Sequence, residues 1–232
     1  MKVNVEQTQK LVNKFRDEIC KKTGILIEEI VVKETDFRTE RAAKGMGGKT
    51  IMITRAGHIL VDPTQEYTSQ LTSLEYSILH ELGHRAQFTI NPGMSIDILE
   101  GIAGFDFVNR TRFVHLIALS KILLTGKAPI MSTLMEGVAD CFALDVFPKY
   151  CSVSRKGRDS LSEHRRLREE IMHGTAPNTK YVINNTLAYN FFHRIYAEQS
   201  LNGLVSYLKN IKRYRIPSFN DMIEPTDFIN KI

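Results

Sequence analysis

The chain has 232 residues, of which 43% are hydrophobic and 25% charged, and it carries a formal net charge of +5. A chain of this length buries roughly 70% or more of its unfolded surface. Because its apolar residues are spread throughout and its net charge is low, disorder is excluded for most of its length. Three widely spaced cysteines, Cys20, Cys141 and Cys151, cannot all pair, which excludes a disulfide scaffold and predicts a reducing, cytoplasmic setting.

The sequence also predicts no secretory signal, no membrane span and no nucleic-acid surface. No apolar run follows Lys2, so no secretory signal is predicted. The longest apolar stretch, residues 113–124, is shorter than the roughly 20 residues of a membrane span. The densest basic region, residues 155–168, has no aromatic residue between its charges, and it predicts a solvent-facing helix rather than a nucleic-acid surface.

The first part of the chain predicts one helix and a few strands. Residues 5–21 carry apolar side chains at helical spacing, and Gly24 is expected to end that helix. Residues 25–32 are rich in β-branched side chains and predict a strand. Two short runs, residues 50–54 and 58–61, predict a hairpin. The basic, glycine-rich residues 41–48 predict a loop.

Helices are predicted for the rest of the chain. Thr72 and Glu75 form a capping box that begins a long helix, which runs to about Phe88 before Asn91-Pro92-Gly93 ends it. Further helices are predicted over residues 112–124, 132–147 (ended by Pro148), 160–173, 184–199 and 202–212. This order predicts a single α+β domain over residues 1–232, with strands and the long helix in residues 1–90 and a helical part in residues 91–232.

The long helix contains the run His80-Glu81-Leu82-Gly83-His84. Two imidazoles four residues apart project from one helix face and can bind a single Zn²⁺, while Glu81 can reach a water on that metal. The alternative is an exposed face that contains two histidines by chance. The apolar neighbours upstream predict a buried helix, in which unpaired polar groups are unfavourable. Gly83 weakens the helix and predicts the close approach of a second backbone.

A third zinc ligand is predicted on a later helix. A catalytic zinc needs three protein ligands and one open position. Glu136 can complete a His₂Glu set, and Asp140, four residues later on the same face, can accept the second N–H of a ligand histidine. The alternative is a capping box between Thr133 and Glu136. Apolar neighbours again predict a buried helix, where a carboxylate needs a cation.

The motif HELGH followed by E-x-x-A-D resembles the gluzincin branch of the zincin metallopeptidases, whose founding example is thermolysin. Its alanine-aspartate ending is similar to that of intracellular proteases that cleave transcriptional repressors and of membrane-linked stress proteases. The resemblance covers roughly residues 50–148. The chain differs from the first group in the long stretch between His84 and Glu136, and from the second in having no predicted span.

The resemblance implies a zincin-like fold and a zinc-dependent peptidase that acts on a protein or peptide. Glu81 would take a proton from the zinc-bound water and pass it to the leaving amine. The clan's further donor to the oxyanion would be Tyr189 or His193; the alternative is that both only pack at the edge of the core. By analogy, the strand at residues 50–54 or at 58–61 would pair with an extended substrate.

Two other functions remain open at this point. One is a non-catalytic, zinc-binding regulatory or interaction protein, in which Glu81 is dispensable. The other is a nucleic-acid partner reached through residues 155–168. Packing or solvated positions are predicted for the remaining histidines and for one cysteine, namely His58, His115, His164, His173 and Cys141.

Overall fold

A computed structural model of the chain describes residues 3–36, 51–53, 57–62, 74–93, 128–151, 180–211, 217, 221–222 and 229. Helices dominate this part of the chain, and they are accompanied by a small sheet, as the α+β prediction requires. The predicted helices over residues 112–124 and 160–173, the loop over residues 41–48 and Thr72 of the capping box lie outside the described residues, as do His115, His164 and His173.

Helix α1 spans Val5–Thr23 and confirms the first predicted helix. The Asn4 side chain caps its start by accepting a hydrogen bond from the Gln7 backbone nitrogen at 3.0 Å. Gly24 ends it with φ 70°, a left-handed conformation that favours glycine. One face of α1 is buried, comprising Thr8, Val12, Phe15 and Ile19.

A three-stranded sheet contains β1 (Val31–Glu34), β2 (Ile51–Ile53) and β3 (His58–Val61) in the order β1-β3-β2. β3 lies in the middle, parallel to β1 and antiparallel to β2, which confirms the predicted hairpin. The strand predicted over residues 25–32 is misplaced, since only Val31 and Val32 belong to β1. Residues 25–30 bury isoleucines without joining the ladder, and this burial explains their β-branched pattern.

The outer side of β1 is occupied by a side chain from α1. Gln9 Nε2 donates to the carbonyl of Ile30, and Gln9 Oε1 accepts from the backbone nitrogen of Val32, each at 2.8 Å. These are backbone groups that a neighbouring strand would otherwise bind. Among the described strands, β2 forms the other edge of the sheet, because β3 lies between β2 and β1.

Helix α2 spans Leu74–Ile90, so it runs two residues past the predicted end at about Phe88 and stops before Asn91-Pro92-Gly93 as expected. Its buried residues include Ile78, Leu79, Leu82 and Ala86, so the prediction of a buried helix is confirmed. Arg85 on α2 forms an ion pair with Glu28 at 2.7 Å. α2 thus has one face in the core and is tied to the segment before β1.

The chain folds into two compact units. The first contains α1, the sheet, α2 up to Thr89, a π-helical segment (Phe142–Val146) and the short helix α4 (Pro148–Cys151). The prediction of one helix over residues 132–147 is corrected here, because the regular helix gives way to the π-helical segment at Phe142. Pro148 begins α4 rather than ending a helix, a position that suits its fixed φ and missing N–H.

The second unit contains α3 (Ala128–Cys141) and α5 (Lys180–Lys209), which pack against each other. α5 is broken at Ser200, with φ 63° and ψ −174°, which agrees with the two helices predicted over residues 184–199 and 202–212. Asn91 Nδ2 donates to the carbonyl of Leu208 at 3.1 Å, which anchors the second half of α5. The prediction of a single domain over residues 1–232 stays a prediction.

Candidate metal centre

His80 and His84 lie one turn apart on α2, and both are half-buried. Their ring centroids are 4.8 Å apart and the ring planes are nearly perpendicular, at 88°. The spacing follows from the helix itself, because residues i and i+4 project from the same face. Since the opposite face of α2 is held by core packing, the two imidazoles are presented from a fixed backbone.

Glu81 is carried into the interior beside these histidines. It is only 7% exposed, although a carboxylate ordinarily stays in water unless it has partners. Glu81 does take part in interactions with other groups. Glu81 is therefore a buried carboxylate with partners, next to two histidines, and its role as a general base stays a prediction.

Glu136 lies in the middle of α3 and is half-buried. Because α3 begins at Ala128, Thr133 is inside the helix and cannot cap its start, so the capping-box alternative for Glu136 is excluded. The neighbouring residues Leu134 and Val138 are fully buried, as predicted. The helix therefore holds Glu136 at the margin of a packed core.

His80, His84 and Glu136 form a group that could hold a metal ion. One possible ligand atom from each of the three residues lies within 4.8 Å of the others. Ligand atoms of a tetrahedral zinc, with bonds of about 2.0–2.2 Å, lie about 3.4 Å apart, so the group is within about 1.4 Å of that spacing. Two imidazoles and one carboxylate also match the chemistry of a three-ligand site. The donor set fits a divalent transition metal such as zinc.

Asp140 is positioned one helical turn after Glu136. It is 5% exposed and, like Glu81, it takes part in interactions with other groups. Its predicted role, accepting an N–H from a ligand histidine, stays a prediction. The adjacent Cys141 is fully buried, which agrees with the prediction that it packs in the core.

Gly137 lets α5 approach α3 directly beside Glu136. A Cβ at Gly137 would lie 2.6 Å from both the Cβ and the carbonyl carbon of Ala188, and 2.8 Å from the backbone nitrogen of Tyr189. Such distances are far below van der Waals contact, so the crossing requires glycine. The close approach predicted at Gly83 stays a prediction, whereas the one at Gly137 was not expected from the sequence.

Tyr189 and His193 follow on α5, with ring centroids 5.8 Å apart. Tyr189 is 1% exposed, whereas His193 is half-buried. The backbone of Tyr189 lies against α3 at Gly137, which directly follows Glu136 in the sequence. The role of Tyr189 or His193 as a hydrogen-bond donor to the oxyanion stays a prediction.

Two residues near these motifs were not found from the sequence. The Tyr76 ring lies 5.9 Å from the His80 ring, centroid to centroid, and its position four residues before His80 was an available signal. Asn190 is 6% exposed, and its Nδ2 has no hydrogen-bond partner among the residues described. No sequence pattern distinguishes Asn190 from an ordinary helical asparagine.

His58 is the first residue of β3 and is half-buried, and it does not belong to the candidate metal-binding group. The basic residues 155–168 lie outside the described part of the chain. None of the helices traced above has the length and apolar character needed to cross a membrane.

No family model, curated protein or solved structure matches the chain. The likeness to zincins therefore depends on the two motifs and on the group they form.

Proposed function

We propose that the protein is a zinc metallopeptidase of the gluzincin type, acting on a protein or peptide in a reducing, cytoplasmic compartment. The observation that carries the proposal is the His80–His84–Glu136 group, with its ligand atoms within 4.8 Å of one another. Among the described residues only these three form such a group, and three ligands rather than four favour a site that leaves a position for water.

The chain's own residues have separable roles in this proposal. A bound zinc ion would supply Lewis-acid polarisation and lower the pKa of a coordinated water to about 7. Glu81 would accept a proton from the attacking water and deliver it to the departing amine nitrogen. Asp140 would fix the orientation of a ligand histidine. Tyr189 or His193 would donate to the carbonyl oxygen as negative charge develops on it.

The sheet supports a choice between the two strands that could pair with substrate. β3 is paired on both sides, whereas β2 pairs only with β3 among the strands that the structure describes. The opposite edge, at β1, is capped by Gln9. We therefore assign the pairing of an extended peptide to β2.

The proposal is tested by Glu81→Gln, with Glu75→Gln on the same helix as the matched control. We expect Glu81→Gln to lower peptide hydrolysis by at least 100-fold, because general-base catalysis contributes about 10²–10⁴, while zinc stays bound. The measurements are metal content and a proteome-wide cleavage survey of the wild type and both variants. Unchanged turnover in Glu81→Gln would contradict the mechanism.

The same experiment separates the peptidase from a non-catalytic, zinc-binding regulatory protein. In that second case the wild type binds one zinc per chain without cleaving any substrate, and both glutamate variants behave like it. If the wild type binds no zinc, or if His80→Ala binds it equally well, both functions are wrong.

A further inference from the structure

A ring contact reaches the candidate metal centre from within α2. Tyr76, His80 and His84 follow each other at four-residue spacing, and their rings are adjacent in that order. The Tyr76 and His80 planes are tilted by only 36°, with centroids 5.9 Å apart, which falls within the range of favourable aromatic pairs. Tyr76 is half-buried, so water does not fully surround this pair.

A histidine ligand must present one ring nitrogen to the metal, yet its χ2 torsion is broad. Restricting that torsion before the metal arrives removes part of the entropy lost on binding. An aromatic pair at this separation is typically worth about 2- to 13-fold in an equilibrium constant. The Tyr76 ring lies one helical turn before His80, on the side opposite to His84, where a ring contact can restrict the orientation of the His80 imidazole.

We infer that Tyr76 is a positioning residue for the metal centre: its aromatic ring holds the His80 imidazole in the orientation that binds metal. This inference rests on the proposed zinc site, and it assigns the effect to the ring rather than to the phenolic hydroxyl. It requires that Tyr76 affect metal affinity and the geometry of the bound metal, in addition to any effect on folding.

Three substitutions test the inference. Tyr76→Phe keeps the ring, Tyr76→Leu removes it, and Phe88→Leu is the matched control. Phe88 lies four residues after His84, is half-buried and makes no ring contact with any described residue. Zinc affinity is measured by competition with a chromophoric chelator, and the visible spectrum of the Co²⁺-substituted protein reports the geometry at the metal.

We expect Tyr76→Leu to weaken zinc binding by about 3- to 10-fold and to shift the Co²⁺ bands. Tyr76→Phe and Phe88→Leu should stay within about twofold of the wild type and keep its spectrum. Equal zinc affinity in Tyr76→Leu and the wild type would overturn the inference, and so would equal losses in Tyr76→Phe and Tyr76→Leu.

Thermal unfolding of the metal-free proteins shows whether a variant is folded. If Tyr76→Leu does not fold, Tyr76→Met takes its place, because the flexible methionine side chain fills irregular space without a ring. Failure of the zinc site itself is recognised separately, since the wild type would then bind no zinc. If only the role of Tyr76 is wrong, the wild type still binds zinc.

Discussion

A Cβ added at Gly137 would overlap the backbone of α5 at Ala188 and Tyr189. Both contacts are to backbone or Cβ atoms, which cannot swing aside as the end of a long side chain can. The absence of a side chain at Gly137 therefore permits the short distance between α3 and α5. The adjacent residue is Glu136, so the same distance bears on where the candidate carboxylate ligand lies.

Gly137→Ala is expected to lower the free energy of unfolding by about 1–3 kcal/mol, because the added methyl overpacks the crossing. It should also weaken zinc binding, since α3 has to shift at Glu136. Urea unfolding and chelator competition measure the two effects.

Gly24→Ala is the control for this substitution. Nothing lies within 4 Å of a Cβ at Gly24, but its φ of 70° disfavours alanine. That variant should lose about 1–2 kcal/mol of stability and bind zinc normally. An unaltered zinc affinity in Gly137→Ala would show that the crossing does not position Glu136.

At the scale of elements, α5 is two helices joined at a strained residue. The backbone of Ser200, with φ 63° and ψ −174°, lies in a region that is essentially restricted to glycine. The kink also brings the Gln199 side chain to Gly203, where a Cβ would collide with it. The two halves of α5 thus take different directions, one carrying Tyr189 and the other held by Asn91.

Ser200→Gly is expected to raise the free energy of unfolding by about 0.5–2 kcal/mol. Relief of about 1–3 kcal/mol of strain is partly offset by the greater entropy of glycine in the unfolded chain. Ser206→Gly, at an exposed position in the regular part of α5, should instead lose about 0.5 kcal/mol. Denaturant unfolding of both variants decides the matter, and destabilisation by Ser200→Gly would show that the kink is not strained.

Local signals allowed much of this element structure to be predicted. Gly24 marks the end of α1, the break after Gln199 separates the halves of α5, and the hairpin follows from its β-branched runs. The histidine spacing of the candidate site and the later glutamate are equally local patterns, which is why His80, His84 and Glu136 could be named from the sequence.

Long-range contacts could not be predicted in this way. Burial alternates over residues 25–28 and imitates a strand, although strand pairing is decided by distant partners. The approach of Ala188 to Gly137 depends on how two helices separated by many residues pack. The π-helical segment after Cys141 likewise has no distinctive composition, since it inserts one residue into an otherwise ordinary helical pattern.

At the scale of the whole molecule, a bound metal ion should raise the melting temperature, Tm. A ligand that binds only the folded state, at 1,000 times its Kd, stabilises that state by about 4.1 kcal/mol. For a chain of this size each kcal/mol raises the Tm by roughly 2–4 °C. We therefore expect removal of zinc by a chelator to lower the Tm of the wild type by roughly 10 °C.

Differential scanning calorimetry with and without chelator provides the measurement. His80→Ala should unfold at one temperature in both conditions, because it lacks a ligand. A wild-type Tm that does not respond to the chelator would contradict a metal centre in the folded chain.

The Gln9 amide has a consequence for how copies of this chain behave in a crowded solution. An uncovered strand edge is a template on which identical segments can stack into amyloid-like fibrils. A strand from another copy could pair with β1 only after breaking the two hydrogen bonds that Gln9 makes to Ile30 and Val32. Helix α1 therefore protects the native chain against fibril growth from that side of its sheet, and this protection lasts only while α1 remains folded in place.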